Sequence, residues 1–279
     1  MVFKQGKTNL IVGPTGCGKT SLLMALLGEL HYVPSGPDSW FNLPRENGVA
    51  YVAQESWVQN ETIRDNILFG SEFDDVRYRK VIHQCGLSQD LTLFEAGDKT
   101  EVGEKGLTLS GGQKARVTLA RAVYSQAQVL ILDDVLAALD VHTAKWIVEK
   151  CLQGDLVRGR TVLLVVSVCE LSKCFSAERN YQTHNIALAG PAADFVVLLR
   201  QDGQIQSQGS LSEALKSNKA LLREVKAEEA QVSRVDETID DVLPEIPEGR
   251  GGMLITKEEI AEGHVSWTSS KPARSLTFG

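Results

Sequence analysis

Apolar positions in this chain gather into short runs, separated by longer stretches with helical spacing. Residues 8–12 (TNLIV) predict a short buried strand. It runs into GPTGCGKT and then SLLMALLGEL, which is rich in good helix formers. Residues 48–53 (GVAYVA) predict a second strand, and residues 62–85 hold helical pieces. Within the latter, DVRYRKVIHQCG places Val76, Tyr78 or Arg79, and Ile82 near one face. Residues 111–124 predict a helix opening on two glycines, 129–132 (VLIL) a buried strand, and 141–152 another helix. Apolar runs at 160–165 and 195–199 predict two more strands. The Asp202-Gly203 step after the last suggests a hairpin. Ser210 and Glu213 predict a capping box for a helix whose text persists to about residue 230. Short β runs alternating with helices imply an α/β fold around a mainly parallel sheet.

Composition refines this picture at one end of the chain. Of the net charge of -7, residues 232–262 carry nine acids against three bases, so the rest is nearly neutral. The acidic text predicts a linker or tail over residues 231–279, after one domain over 1–230. No basic face of the kind nucleic acid requires is present. The five cysteines (17, 85, 151, 169, 174) are odd in number and scattered, and read as reduced thiols. No apolar run reaches the roughly 18–20 residues of a membrane span, and the start of the chain does not read as a signal peptide.

Gly13-x-x-x-x-Gly18-Lys19-Thr20 matches the phosphate-binding P-loop pattern between a strand and a helix. Glycines let the backbone curl so that several N–H groups face one anion, beside the positive end of the helix dipole. Lys19 can reach the β- and γ-phosphates, and Thr20 can place its hydroxyl on Mg²⁺. The VLIL strand delivers Asp133 at its carboxyl end, where open α/β sheets face their ligands. A carboxylate there can hold Mg²⁺ through water. Without the P-loop, the same residue would read as an ordinary surface acid.

Leu109-Ser110-Gly111-Gly112-Gln113 lies between these two motifs and opens a helix. The ordered set resembles the nucleotide-binding domain of ATP-binding cassette (ABC) proteins, whose signature is LSGGQ. The resemblance covers residues 2–215 and implies a P-loop NTPase core with a helical subdomain at about 56–109. The text ILDDVLAALDVHTAKWIVEKC and LITKEEIAEGHVSW is similar to the first such domain of full-length, C-subfamily (multidrug-resistance-associated) transporters of fungi. The resemblance implies ATP contacts from Gly13, Pro14, Thr15, Gly16, Cys17, Gly18, Lys19, Thr20 and Ser21. It implies Mg²⁺ held by Thr20, Gln54 and Asp133. Asp134, His184 and Gln54 are the expected catalytic residues. Ser110, Gly111, Gly112, Gln113 and Asp140 are expected to serve a nucleotide shared with a second nucleotide-binding domain, paired head to tail. Transmembrane domains are the other implied partner, which places the chain on the cytoplasmic face of a membrane. Soluble ABC proteins of translation or DNA repair are a weaker match, since neither a second cassette nor a coiled coil is in this text.

Most family members carry Glu after the metal-site Asp; this chain carries Asp134, about 1–1.5 Å shorter in reach. A misplacement of about 1 Å can cost around 100-fold in rate, so the chain's own site is expected to bind ATP and hydrolyse it poorly. An equal-weight reading makes Asp134 a cap for the following loop. In the family the strand RTVLLV runs directly into THN, whereas here residues 166–182 intervene before Thr183-His184-Asn185. The segment reads as a regulatory loop, as a solvent-facing insertion, or as a translated intron, which its aperiodic, cysteine-dotted text favours. The family's leading antiparallel strands, with their adenine-stacking aromatic, are expected to lie outside this chain. His31, His83, His142 and His264 read as surface or packing residues, Trp40, Trp57 and Trp146 as core or interface residues, and Arg77, Arg79 and Lys80 as a solvated helix face.

Overall fold

Six strands form one sheet in the order β2-β3-β4-β1-β5-β6. They are β1 (Thr8–Pro14), β2 (Val49–Val52), β3 (Val129–Asp133), β4 (Thr161–Val168), β5 (Phe195–Leu199) and β6 (Ile205–Gly209). The computed structural model describes residues 1–34, 36–103, 109–168 and 185–218, with positions 222, 225 and 226. Strands β1 to β5 are parallel, and β6 closes one edge antiparallel to β5. Near-continuous apolar runs suit strands covered on both faces. Leu10, Leu130, Leu164 and Val166 enter one core, while Ile11, Ile131, Leu163 and Val165 enter the other. The polar text of β6 (IQSQG) fits its place at the edge.

The helices are α1 (Lys19–Leu27), α2 (Ile63–Leu68), α3 (Asp75–Gln84), α4 (Ser88–Leu93), α5 (Gly111–Tyr124), α6 (Val141–Trp146), α7 (Asn185–Ala189) and α8 (Leu211–Ser217). Thr62 and Asp74 cap α2 and α3, each side chain accepting from an N–H three residues on. The box predicted at Ser210 and Glu213 is formed at the start of α8. Beyond α6 the helix widens into a π turn, Ile147–Leu152, with the Gln153 N–H reaching the Val148 carbonyl. The chain then folds tightly under Gly154, where a Cβ would lie 2.1 Å from the Lys150 carbonyl.

Several expectations change. Strand β4 continues past 165: Val166, Ser167 and Val168 pair with Val12, Gly13 and Pro14. The reason is that β1 also extends two residues further than predicted and offers ladder partners, and Val166 is fully buried there. The first three residues of the predicted insertion are therefore sheet. Arg77 does not face solvent. Its guanidinium donates to the carbonyls of Tyr124, Val123 and Ser125 at 2.8, 3.0 and 2.9 Å, satisfying the end of α5. Arg79 is exposed and Lys80 half-buried, and they pair with Asp75 and Asp155. On α3, Tyr78, Val81 and Ile82 are buried, whereas Val76 is 67% exposed. Trp40 and Trp57 are exposed, and Trp146 packs edge-on against His83 with its Nε1 donating to the His83 carbonyl. Cys17, Cys85 and Cys151 are free thiols, all buried. Cys169, Cys174, His184, His264 and the predicted tail lie outside the described residues. Among the described residues, no helix is long and apolar enough to cross a membrane.

Candidate nucleotide site

Because β1 to β5 run parallel, their carboxyl ends lie along one edge of the sheet, and the candidate residues collect there. The loop after β1 is shaped by its glycines. A Cβ on Gly13 would lie 2.7 Å from the Cys17 sulfur and 3.1 Å from Leu199 Cβ, so only glycine fits. Gly16 and Gly18 have φ of +83° and +92°, and Gly18 leads into α1 with open space around it. The β5–β6 turn props this loop from outside. Gln201 Nε2 donates to the Thr15 carbonyl at 3.4 Å, and a Cβ on Gly203 would meet the Cys17 carbonyl at 3.2 Å. Pro14 is half-buried, while Thr15, Thr20 and Ser21 are exposed.

Lys19 is buried, and its ammonium donates to the Gly13 and Pro14 carbonyls at 2.8 Å each. Burial lowers its pKa below the ordinary lysine value, and Cys17, Asp134 and Asp133 oppose that shift. Phosphate oxygens are stronger acceptors than the loop's own carbonyls and would draw the ammonium outward.

Asp133 is 1% exposed, and its Oδ2 has no hydrogen-bond partner. Burial raises its pKa. The Thr20 hydroxyl favours the charged form, Asp134 disfavours it, and Lys19 and the Tyr51 hydroxyl favour it. A buried carboxylate oxygen without a partner, beside the Thr20 hydroxyl, is a hard-oxygen donor set that suits Mg²⁺. Asp134 is buried and has φ of +53°, a left-handed conformation that Asp tolerates better than most residues. Its Oδ1 accepts the Ser167 N–H at 3.4 Å. The bond that the side chain makes is thus to β4, and not to the loop it was expected to cap.

A second group forms where α5 begins. Ser110 caps the helix, accepting from the Gln113 N–H at 3.2 Å, while its own N–H donates to Gln113 Oε1 at 2.9 Å. Gln113 Nε2 also donates to Asp90, which pairs with Arg116 at 2.7 Å. Gly111 stands in open space, and a Cβ on Gly112 would touch the Ala138 carbonyl at 3.4 Å. Asp140 caps α6 through the Thr143 N–H and hydroxyl. Burial alone would push its pKa up, but the bonds from Thr143 outweigh this and hold it below the ordinary value.

Gly13 to Ser21, Asp133 and Asp134 therefore share one edge of the sheet. Gln54 is exposed just beyond β2 on the same edge. Ser110 to Gln113 and Asp140 form the second group, and His184 is outside the described residues. Sequence reasoning missed Tyr51, Ser167, Gln201 and Gly203. A signal existed for Tyr51, which lies three residues before Gln54 on the strand paired with β3.

A phosphate-cradling loop, an adjacent buried carboxylate and a parallel sheet define a P-loop nucleotide-binding protein. The family model described as "ABC transporter" matches residues 1–137. The chain is 42% identical over 280 residues to ABC transporter 7 of Pyricularia oryzae, covering 95% of this chain and 15% of that protein. It is 46% identical over 217 residues to the ATP-dependent bile acid permease of Saccharomyces cerevisiae, covering 74% of this chain and 12% of the permease. It is 38% identical over 281 residues to ABC transporter C family member 3 of Dictyostelium discoideum, covering 94% and 18%. The chain thus spans less than a fifth of the length of these relatives. It belongs to the ABC transporter family, as an ATP-binding domain of that family.

Proposed function

We propose that this chain is the ATP-binding cassette of a membrane transporter, working at the cytoplasmic face with transmembrane domains and a second nucleotide-binding domain. The observation that carries this reading is the buried, partnerless Asp133 oxygen beside Thr20, at the mouth of a glycine-shaped loop holding Lys19. Gly16, Gly18 and the start of α1 would hold the phosphates by backbone N–H groups, with Lys19 neutralising charge. Asp133 and Thr20 would hold Mg²⁺, assisted by Gln54, and the cation would supply charge neutralisation on the phosphates. Ser110 and the glycine N–H groups of α5 would cover the nucleotide of a partner cassette, and Asp140 lies in the adjoining loop. ATP would then favour the closed pair, and its loss the open one. The transported cargo would be a small molecule, as bile acid is for the yeast permease by its name.

Asp134 would orient the attacking water weakly, because its carboxylate is about 1–1.5 Å shorter in reach than that of Glu. The chain's own site then binds ATP and turns it over slowly, while its α5 end completes the partner's site. A second reading, favoured by the same short carboxylate, is an ATP-binding switch without effective catalysis. Light scattering with Mg-ATP and with Mg-ADP, together with single-turnover hydrolysis by the full chain, tests both. ATP-dependent pairing with slow turnover, lost in Lys19→Ala, supports the cassette reading. Pairing without turnover supports the switch. Failure to bind ATP overturns both, and turnover above about 1 s⁻¹ at the Lys19 site overturns the slow-site reading.

A further inference from the structure

Along β4 the backbone N–H groups alternate between neighbours. Thr161 donates toward the β3 side, to the Gln128 carbonyl at 2.8 Å. Val162 donates toward the β1 side, to the Lys7 carbonyl at 3.0 Å. The period of two carries this alternation along the strand, so Ser167, like Thr161, offers its N–H toward β3. The β3–β4 ladder, however, ends at Asp133 opposite Val165. At Ser167 no carbonyl of β3 remains to accept. Asp134 has turned into the left-handed region at φ +53°, and its side-chain Oδ1 takes the rung at 3.4 Å in place of a backbone carbonyl.

We propose that Ser167 is a positioning residue of the nucleotide site: its backbone N–H, the last rung of β4 on the β3 side, holds the carboxylate of Asp134 in place. Three observations make this a built arrangement. Asp134 is 8% exposed, so few solvent donors compete for that oxygen. Ser167 is fixed on its other side by the register with Gly13, the first glycine of the phosphate loop. The Asp134 charge is close enough to act on both Lys19 and Asp133, which puts the clamped carboxylate at the phosphate end of the sheet. Any displacement of the β4 terminus is therefore passed to Asp134 through one bond. The serine side chain is not required; the backbone N–H is.

The inference rests on the proposed role of Asp134 in hydrolysis, and its test separates the bond from that role. In a ¹⁵N-labelled full chain, the Ser167 amide is expected to be protected from exchange. Asp134→Ala should shift its resonance and speed its exchange by about tenfold or more relative to the Leu163 and Val165 amides of the same strand, a ratio that cancels the stability lost by placing Ala at φ +53°. An unchanged Ser167 amide in Asp134→Ala overturns the clamp whatever the hydrolysis rate. For function, Ser167→Ala retains the N–H and should keep the single-turnover rate within twofold. Ser167→Pro removes it without touching the β1 ladder, and should slow the step about tenfold, the scale of one hydrogen bond's worth of positioning, with Mg-ATP affinity within twofold. In an Asp134→Asn background, Ser167→Pro should cause no further loss. Equal losses in both backgrounds, an equal loss in Ser167→Ala, or a loss in affinity alone would each overturn the positioning role. Where Ser167→Pro fails to fold, the amide measurement on Asp134→Ala decides.

Discussion

Replacing Asp133 with Asn should make the nucleotide-free protein more stable and the nucleotide-bound protein less so. In the folded chain this carboxylate is 1% exposed, and one oxygen lacks a partner. An unsatisfied buried acceptor costs about 1–3 kcal/mol, and a charged one lies toward the upper end. Burial is the largest influence on Asp133 and opposes its charge, ahead of the favourable contributions of Thr20, Lys19 and Tyr51. Neutralising it removes the larger effect. Lys19 still has the Gly13 and Pro14 carbonyls and the Asp134 charge, so its loss is smaller. A net gain of about 1–2 kcal/mol is expected, which for a domain of roughly 200 residues raises Tm by about 2–8 °C. With Mg-ATP at 100 times its Kd, the parent should gain about 2.7 kcal/mol. Asp133→Asn should lose the Mg²⁺-dependent share of that gain. Thermal unfolding followed by circular dichroism, at fixed protein concentration with ATP–EDTA and with Mg-ATP, should therefore show the two proteins exchanging order. A nucleotide-free Asp133→Asn that melts below the parent would refute the reasoning about burial. An undiminished Mg²⁺-dependent shift would refute the metal assignment.

Other expectations concern the loop and the helices around it. Arg77→Ala strips three donors from the carbonyl end of α5 and should destabilise the domain by about 2–3 kcal/mol, read as a lower denaturation midpoint with unchanged m. Gly13→Ala must displace Cys17 or Leu199 and should weaken ATP binding at least tenfold by fluorescent-nucleotide displacement. Gly111→Ala, in open space within one chain, should leave the affinity of the unpaired protein unchanged and weaken ATP-dependent pairing in light scattering.

Much of this architecture was legible because its determinants are local. The apolar runs at 129–132 and 195–199 can bury only as central strands, and the Asp202-Gly203 turn and the Ser210 capping box each signal through a few adjacent residues. The P-loop was legible for a related reason, since its glycines are demanded by backbone conformation at Gly16 and Gly18. What was misread depends on partners distant in sequence. The end of β4 is set by how far β1 extends, which nothing in residues 166–168 announces. Arg77 looked like a surface charge because its acceptors lie 46 to 48 residues away. Tyr51 reaches Asp133 only through strand pairing, so its influence on the metal-site carboxylate had no local signature beyond its place before Gln54.

Arg77 also has a mechanical consequence. It fastens α3 to the far end of α5, while Arg121, in the last turn of the same helix, bonds the carbonyl and side chain of Asn66 on α2. Helix α5 is thereby lashed to α2 and α3 near its carboxyl end, and beside Ser110 at its amino end Gln113 and Arg116 tie it to Asp90 of α4. Fourteen residues at about 1.5 Å each make a lever roughly 21 Å long. Tilting it by about 5° about the Arg77 anchor sweeps the Ser110 end through about 2 Å, most of the length of a hydrogen bond. A push on α2 or α3 that carries these tied helices together, with their packing undisturbed, would therefore be enough to make or break contact at the Ser110 end.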